Sequence, residues 1–344
     1  MLYLRSELFA DLDSITGLRV ALQKAIELEH ATIPLYLYAF YSIRPGANAP
    51  IARIILSVAM EEMLHFALAC NLLNAIGGTP VIDDPSFMPV FPGPLPGTVQ
   101  HGLVARLAPI SRELVKDVFM EIEEPEDPLQ FPTRPLDITL DSRPTTIGQF
   151  YRRIRDHIKA GGSGLFIGPA NRQITADAAL PGMVAVTDIT TALQAIDTIV
   201  EQGEGTDQAP IDREDDLAHY YKFAQIYHGR RLIADASAPP TAPPDQRYVY
   251  GGAPITFDPA GVYPLPTNPR AASYPEEARE RAEEFNRAYT RMLGHLQRAT
   301  TGNPSEMGLA IGIMKYELGP LAKQIVRIPI SETQNAGPTF EYTR

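Results

Sequence analysis

Glu62 and His65 stand three residues apart inside the stretch 51–74, IARIILSVAMEEMLHFALACNLLN. On a helix that spacing sets a carboxylate and an imidazole side by side, able to grip one metal ion between them. The same stretch carries an apolar row through Ile51, Ile55, Val58, Ala69 and Leu72, and Glu62 and His65 fall on that row. An acid on a buried face costs several kcal/mol unless something compensates its charge, and a bound cation does so. One acid-x-x-His pair arises by chance in many helices, so the argument turns on whether the chain supplies a second half.

It offers one. Asp216-x-x-His219 repeats the spacing with a shorter acid, and Phe223 and Ile226 share its face. Two single acids also interrupt apolar rows. Glu29 lies among Leu22, Ile26, Ile33 and Tyr36, whereas Glu27, beside Gln23 and His30 on a polar row, is the reserve. Glu204 continues the row Leu193, Ile196 and Val200; Glu201, following Thr190, Gln194 and Asp197, stays open as the alternative. The expected ligand set is therefore Glu29, Glu62, His65, Glu204, Asp216 and His219. One acid, an acid-x-x-His, one acid and an acid-x-x-His on four helices is the pattern by which ferritin-like bundles hold two iron or manganese ions. Carboxylates neutralise the pair, and one imidazole per ion leaves positions for dioxygen and a small substrate. Tyr36, one helical step beyond Glu29, is the candidate catalytic side chain, as a radical relay or a neighbour of the ligands, weighed against plain core packing.

Four elements must position these groups. The first helix is expected over 15–43, opened by the capping pair Asp13-Ser14 and kinked by Pro34. A turn at 44–50 folds it back on the second helix, which stops at Gly77-Gly78. Glu29 lies 14 residues before Ile43 and Glu62 lies 12 after Pro50, or about 21 and 18 Å from the turn at 1.5 Å per residue, so the two acids sit at one depth. The third helix is expected over 187–203 and the fourth over 212–234.

Between helices two and three lies a Pro-rich insertion, 79–186. It holds an amphipathic helix at 145–159, an acidic run at 121–127 that reads as solvated surface, and two short apolar runs, 164–168 and 183–186, that could pair as strands. A Pro-rich linker from Ala236 leads to two further helices, 275–300 and 305–326. The expected fold is thus mainly α: a bundle domain over 1–235 and a C-terminal helical pair over 236–344 packed on it.

The segments KAIELEHATIPLYLYAFYSI, VAMEEMLHFALACNLLNAIGGTP, AIDTIVEQGEG and LAHYYKF resemble the ferritin-like family known as iminophenyl-pyruvate dimer synthases, over roughly residues 15–232. The resemblance implies a ferritin-like fold and oxidative chemistry on a small metabolite in natural-product biosynthesis, with oxidative imine coupling as one alternative. A metal-binding scaffold without catalysis is the other; the long insertion and extra helices argue against a storage cage.

Bulk properties bound the partners. The net charge of −11 comes with no basic run, which disfavours nucleic acid and anionic membranes. No apolar run spans a bilayer, the N-terminal residues lack a secretory pattern, and the single Cys70 suits a reducing compartment, so a cytoplasmic location is expected. A homo-oligomer is compatible with all of this.

Overall fold

The structure, a computed structural model, describes residues 14–98, 102–125, 129, 146–175, 180–206, 209–239 and 241–343. The N-terminal stretch through Asp13, and Glu126 and Asp127 at the end of the acidic run, lie outside the described residues.

Helix α1 (Ile15–Tyr41) is capped by the Ser14 hydroxyl, which accepts the Gly17 N–H at 3.0 Å, and it runs unbroken through Pro34. Helix α2 (Ala49–Ala75) follows a short turn. The Arg19 guanidinium near the start of α1 donates to the Ile76 carbonyl just past α2, at 2.7 Å, so the pair is antiparallel. Every residue from Leu28 to Ala39 and from Glu62 to Ile76 is buried. Helices apolar on all sides belong at a molecule's centre, and the two form its axis.

The surrounding helices include two from within the 79–186 insertion. A short helix α3 (Arg112–Leu114), capped by Ser111, continues as a π-helical turn (Val115–Met120) that packs along α6 (His219–His228). Helix α4 (Ile147–Gly161) opens on a Thr146–Gln149 capping box and packs on α5 (Ile189–Glu204), itself opened by an Asp188–Thr191 box. α5 and α6 both pack on α2.

Residues 164–168 and 183–186 do not pair as strands. The Asn71 amide on α2 holds this region instead, donating to the carbonyls of Ile174 and Val184 and accepting the Ile174 N–H. A buried polar side chain on the bundle thus satisfies the backbone groups that a strand partner would have met.

The fourth helix begins at His219, not at residue 212. The Asp212 carboxylate accepts the N–H groups of Glu214 and Asp216, Asp215 sits at φ +63, and Ile211 bridges Leu217. An Asx turn of this kind competes with helix formation and wins over these residues.

The C-terminal helices are α7 (Glu276–Thr300), α8 (Glu306–Ile313), which continues as a π-helical turn (Met314–Leu318), and α9 (Gly319–Ile325). α7 lies on the bundle: the Thr300 carbonyl accepts from Asn74 at 2.7 Å, and the Tyr289 hydroxyl is 2.7 Å from His30 Nε2. Burial pushes the His30 pKa down to about 3, so the ring is neutral and shares one hydrogen bond with the tyrosine hydroxyl. Among the described residues no helix is long and apolar enough to cross a membrane.

Candidate metal centre

At mid-depth in the bundle three carboxylates and two imidazoles face one another. Glu29 comes from α1, Glu62 and His65 from α2, Glu123 from just beyond the π-helical turn that continues α3, and His219 from the first residue of α6. All five are buried. Glu62 is the hub. Its Oε1 lies 2.8 Å from His219 Nδ1 and 3.8 Å from His65 Nδ1, and its Oε2 accepts the Thr32 hydroxyl at 2.9 Å. His65 Nδ1 is also 3.7 Å from Glu29, and His219 Nδ1 is 3.5 Å from Glu123. Ligand atoms of Glu62, His65 and His219 lie within 4.8 Å of one another, close enough to hold a metal ion.

The cluster has a near-mirror plan. Each histidine turns Nδ1 inward and Nε2 outward: His65 Nε2 is 3.0 Å from Gln202 Oε1, and His219 Nε2 is 2.9 Å from Glu61. An acceptor at Nε2 fixes the proton there and leaves a lone pair on Nδ1, the arrangement that metal-ligating histidines require. Each outer carboxylate likewise takes a tyrosine hydroxyl, Tyr151 on Glu29 at 2.6 Å and Tyr36 on Glu123 at 2.5 Å. The rings of Tyr36, Phe119 and Phe223 pack together on the Glu123 side.

The electrostatics are those of a site short of positive charge. Burial, then the neighbouring Glu123, raises the Glu62 pKa to about 7 despite the contact with His219. Burial opposes charge on both imidazoles, yet the carboxylates prevail and hold His65 above, and His219 well above, the ordinary value. Burial and the nearby carboxylates also push the Tyr36 hydroxyl far up, so it remains a donor. His219 Nδ1 is fully buried and has no aligned hydrogen-bond partner, although a carboxylate oxygen is 2.8 Å away. A lone pair aimed at an anion is repulsive; a cation or a proton between them relieves it. Three carboxylates and two neutral imidazoles suit divalent iron or manganese.

Of the residues singled out from sequence, the structure brings Glu29, Glu62, His65, His219 and Tyr36 together and leaves Glu204 and Asp216 elsewhere. Glu204 lies against α4, where its carboxylate accepts the Gly148 N–H at 2.8 Å, with Arg152 at 3.7 Å. The acid meets the first turn of that helix. The alternative Glu201 pairs with Arg213 at 2.7 Å. Asp216 has a side chain 62% exposed and pairs with Lys222 at 2.9 Å, since the Asx turn takes it off the helix that carries His219. Glu27 pairs with Lys24.

Three participants escaped the sequence reading. Glu123 sits in the acidic run 121–127, whose charge reads as solvated surface, although Val115, Phe119 and Glu123 form the same interrupted apolar row that marks Glu29. Gln202 continues the row Ala195 and Ile199, both buried, and offers an amide where an acid was sought. Glu61, adjacent to Glu62, is drawn in by Lys222, whose ammonium lies 2.7 Å away; burial opposes its charge, but His219 and Lys222 outweigh this and lower its pKa to about 2.

The Ferritin-like family model matches residues 22–228. The chain belongs to the Ferritin-like family. That span begins in α1 and ends at the last residue of α6, so it contains every group of the cluster. A curated relative, dichlorochromopyrrolate synthase of Lentzea aerocolonigenes, is 26% identical over 95% of this chain, which spans only 36% of that protein's length. Among solved structures, a ferritin like protein from Caulobacter vibrioides superposes with a TM-score of 0.58 at 24% identity, covering 93% of this chain and 97% of that one; this likeness establishes the fold alone.

Proposed function

We propose that this chain is a non-haem di-iron oxidoreductase that uses dioxygen to oxidise a small metabolite. The observation that carries the reading is the approach of both imidazole Nδ1 atoms to the single oxygen Glu62 Oε1, at 2.8 and 3.8 Å, with both Nε2 atoms committed to outer acceptors. Glu29, Glu62 and His65 would hold one ion, and Glu62, Glu123 and His219 the other, with manganese as the alternative to iron. Two ferrous ions held there would supply two of the electrons that dioxygen reduction needs, and the oxidised metabolite the other two.

The rest is the work of the chain. Gln202 and Glu61 keep the imidazoles in the tautomer that points lone pairs inward. Thr32, Tyr151 and Tyr36 each donate to one carboxylate and so fix its rotamer before any ion arrives. The Tyr36, Phe119 and Phe223 rings exclude water on one side. Tyr36, whose hydroxyl proton already bridges to Glu123 Oε1, is the group placed to pass a proton to that oxygen.

Metal content by mass spectrometry on anaerobically purified protein tests this. Two irons per chain, with oxygen uptake by the ferrous form, are expected; protein that takes up no metal after iron-supplemented expression overturns it.

A second reading, oxidative coupling of two imine molecules, is favoured by the identity to dichlorochromopyrrolate synthase across 95% of this chain. It is tested by incubating the ferrous protein with an aromatic α-imino acid and oxygen and seeking a product of twice the monomer mass less the hydrogens removed.

A further inference from the structure

A cleft of about 520 Å³ opens at the turn between α1 and α2, bordered by Lys323 of α9 and by Val326 and Arg327 just past it. Its apolar wall includes Phe40, Ile43, Tyr263 and Val326, and its rim carries Arg44, Arg53, Lys323 and Arg327. No carboxylate lines it, in a chain of net charge −11. None of the four cations forms an ion pair with a described carboxylate, whereas Arg155, Arg213, Arg281, Arg291 and Arg298 elsewhere each do. The Arg44 guanidinium lies 4.2 Å over the Tyr263 ring, which stiffens it without neutralising it. The Arg44 N–H to Gly261 carbonyl bond and the Ile43–Val262 bridge tie the turn to the loop that carries Tyr263, so two of the cleft's three walls are fixed to each other.

We propose that this cleft binds a small organic anion: an apolar, ring-sized body against Phe40 and Tyr263, and a carboxylate among the four cations. Four like charges around one concavity repel one another, and an anion reverses that term. The volume falls within the range of small-molecule sites, and an apolar floor with a few convergent charged groups is their usual composition. Inorganic anions would use only the rim. The site is separate from the metal centre, since Glu29 lies 12 residues before Tyr41 at the end of α1, about 18 Å along the axis; the proposal stands without the oxidase reading.

The test is titration calorimetry of the full chain with 1-naphthoate, its neutral analogue 1-naphthylmethanol and inorganic phosphate. Naphthoate is expected to bind with a dissociation constant below about 1 mM and to weaken as sodium chloride rises, as screening of a charge pair requires. Naphthylmethanol and phosphate are each expected to bind at least about tenfold more weakly. Arg53→Glu and Lys323→Glu, both at exposed positions, together should weaken naphthoate at least about tenfold while the thermal midpoint stays within a few degrees. Absent binding, equal binding of the neutral analogue or of phosphate, or unchanged affinity in the folded double variant overturns the proposal.

Discussion

Glu61 accepts the outer N–H of His219 at 2.9 Å and is itself held by Lys222 at 2.7 Å, while the outer N–H of His65 meets only the neutral amide oxygen of Gln202. A carboxylate partner makes a stronger bond than an amide and leaves the ring a better donor. The ion at His219 is therefore expected to bind more tightly than the ion at His65. Glu61→Gln should weaken the tighter site about 10- to 100-fold and bring the two affinities together in a competitive chelator titration. Lys222 keeps Asp216 as a partner in this variant. Two equal affinities in the parent protein would refute the asymmetry.

Metal removal should make stability fall with rising pH. In the folded apoprotein the Glu62 pKa is raised to about 7, whereas the unfolded chain ionises near the ordinary carboxylate value. Below that value both states are protonated and there is no penalty. From there to about pH 7 the unfolded state loses its proton first, and stability drops by on the order of 3 kcal/mol for a shift of this size. His219 acts in the same direction: its pKa is raised, so its contribution is present below the unfolded value near 6.5 and is lost as pH climbs through the folded one. Metal binding needs the deprotonated ligands and opposes the trend. Thermal midpoints of chelator-treated protein are expected to fall between about pH 5 and pH 8, and those of metal-loaded protein to fall less or rise.

Glu62→Gln separates the two roles of that side chain. The amide is nearly isosteric and can still accept the Thr32 hydroxyl, but it cannot be ionised. The variant is expected to lose bound metal, read by mass spectrometry, and as apoprotein to melt higher than the parent above about pH 7, because the buried charge beside Glu123 is gone. Full metal occupancy in Glu62→Gln would remove Glu62 from the ligand set.

The cluster was half legible in the sequence, and the boundary has a physical origin. Glu29, Glu62 and His65 stand on long, uninterrupted helices, where period alone tells which face is buried. His219 was found through its spacing from Asp216, although the two share no helix, because Asp212 captures backbone N–H groups that a helix would need. Glu123 was hidden since its row, Val115 and Phe119, is only two residues long on a short, π-wound helix, and the prolines and acids around it read as solvated surface. Gln202 and Glu204 differ in which neighbour α5 turns toward them, α2 or α4; a single helix's pattern marks a buried face but not the helix that covers it.

That last distinction gives a paired test. Glu204 and Glu123 are both acids at the end of an apolar row. Glu204 accepts the Gly148 N–H in the first turn of α4 at 2.8 Å, where a carboxylate compensates unsatisfied N–H groups and the helix dipole. Glu204→Gln should therefore cost about 1 kcal/mol of stability, seen as a lower denaturant midpoint, and leave metal stoichiometry unchanged. Glu123→Gln keeps the Tyr36 hydrogen bond but removes an anion from the centre, so it should lower occupancy at the His219 position while changing apoprotein stability little or raising it. Glu123 Oε2 lies against α5 at Gly203, the residue before Glu204, so in the double variant a departure from the sum of the two effects measures the coupling between the sites. Loss of metal from Glu204→Gln, with Glu123→Gln retaining two ions, would return the ligand role to α5 and overturn the assignment of Glu123.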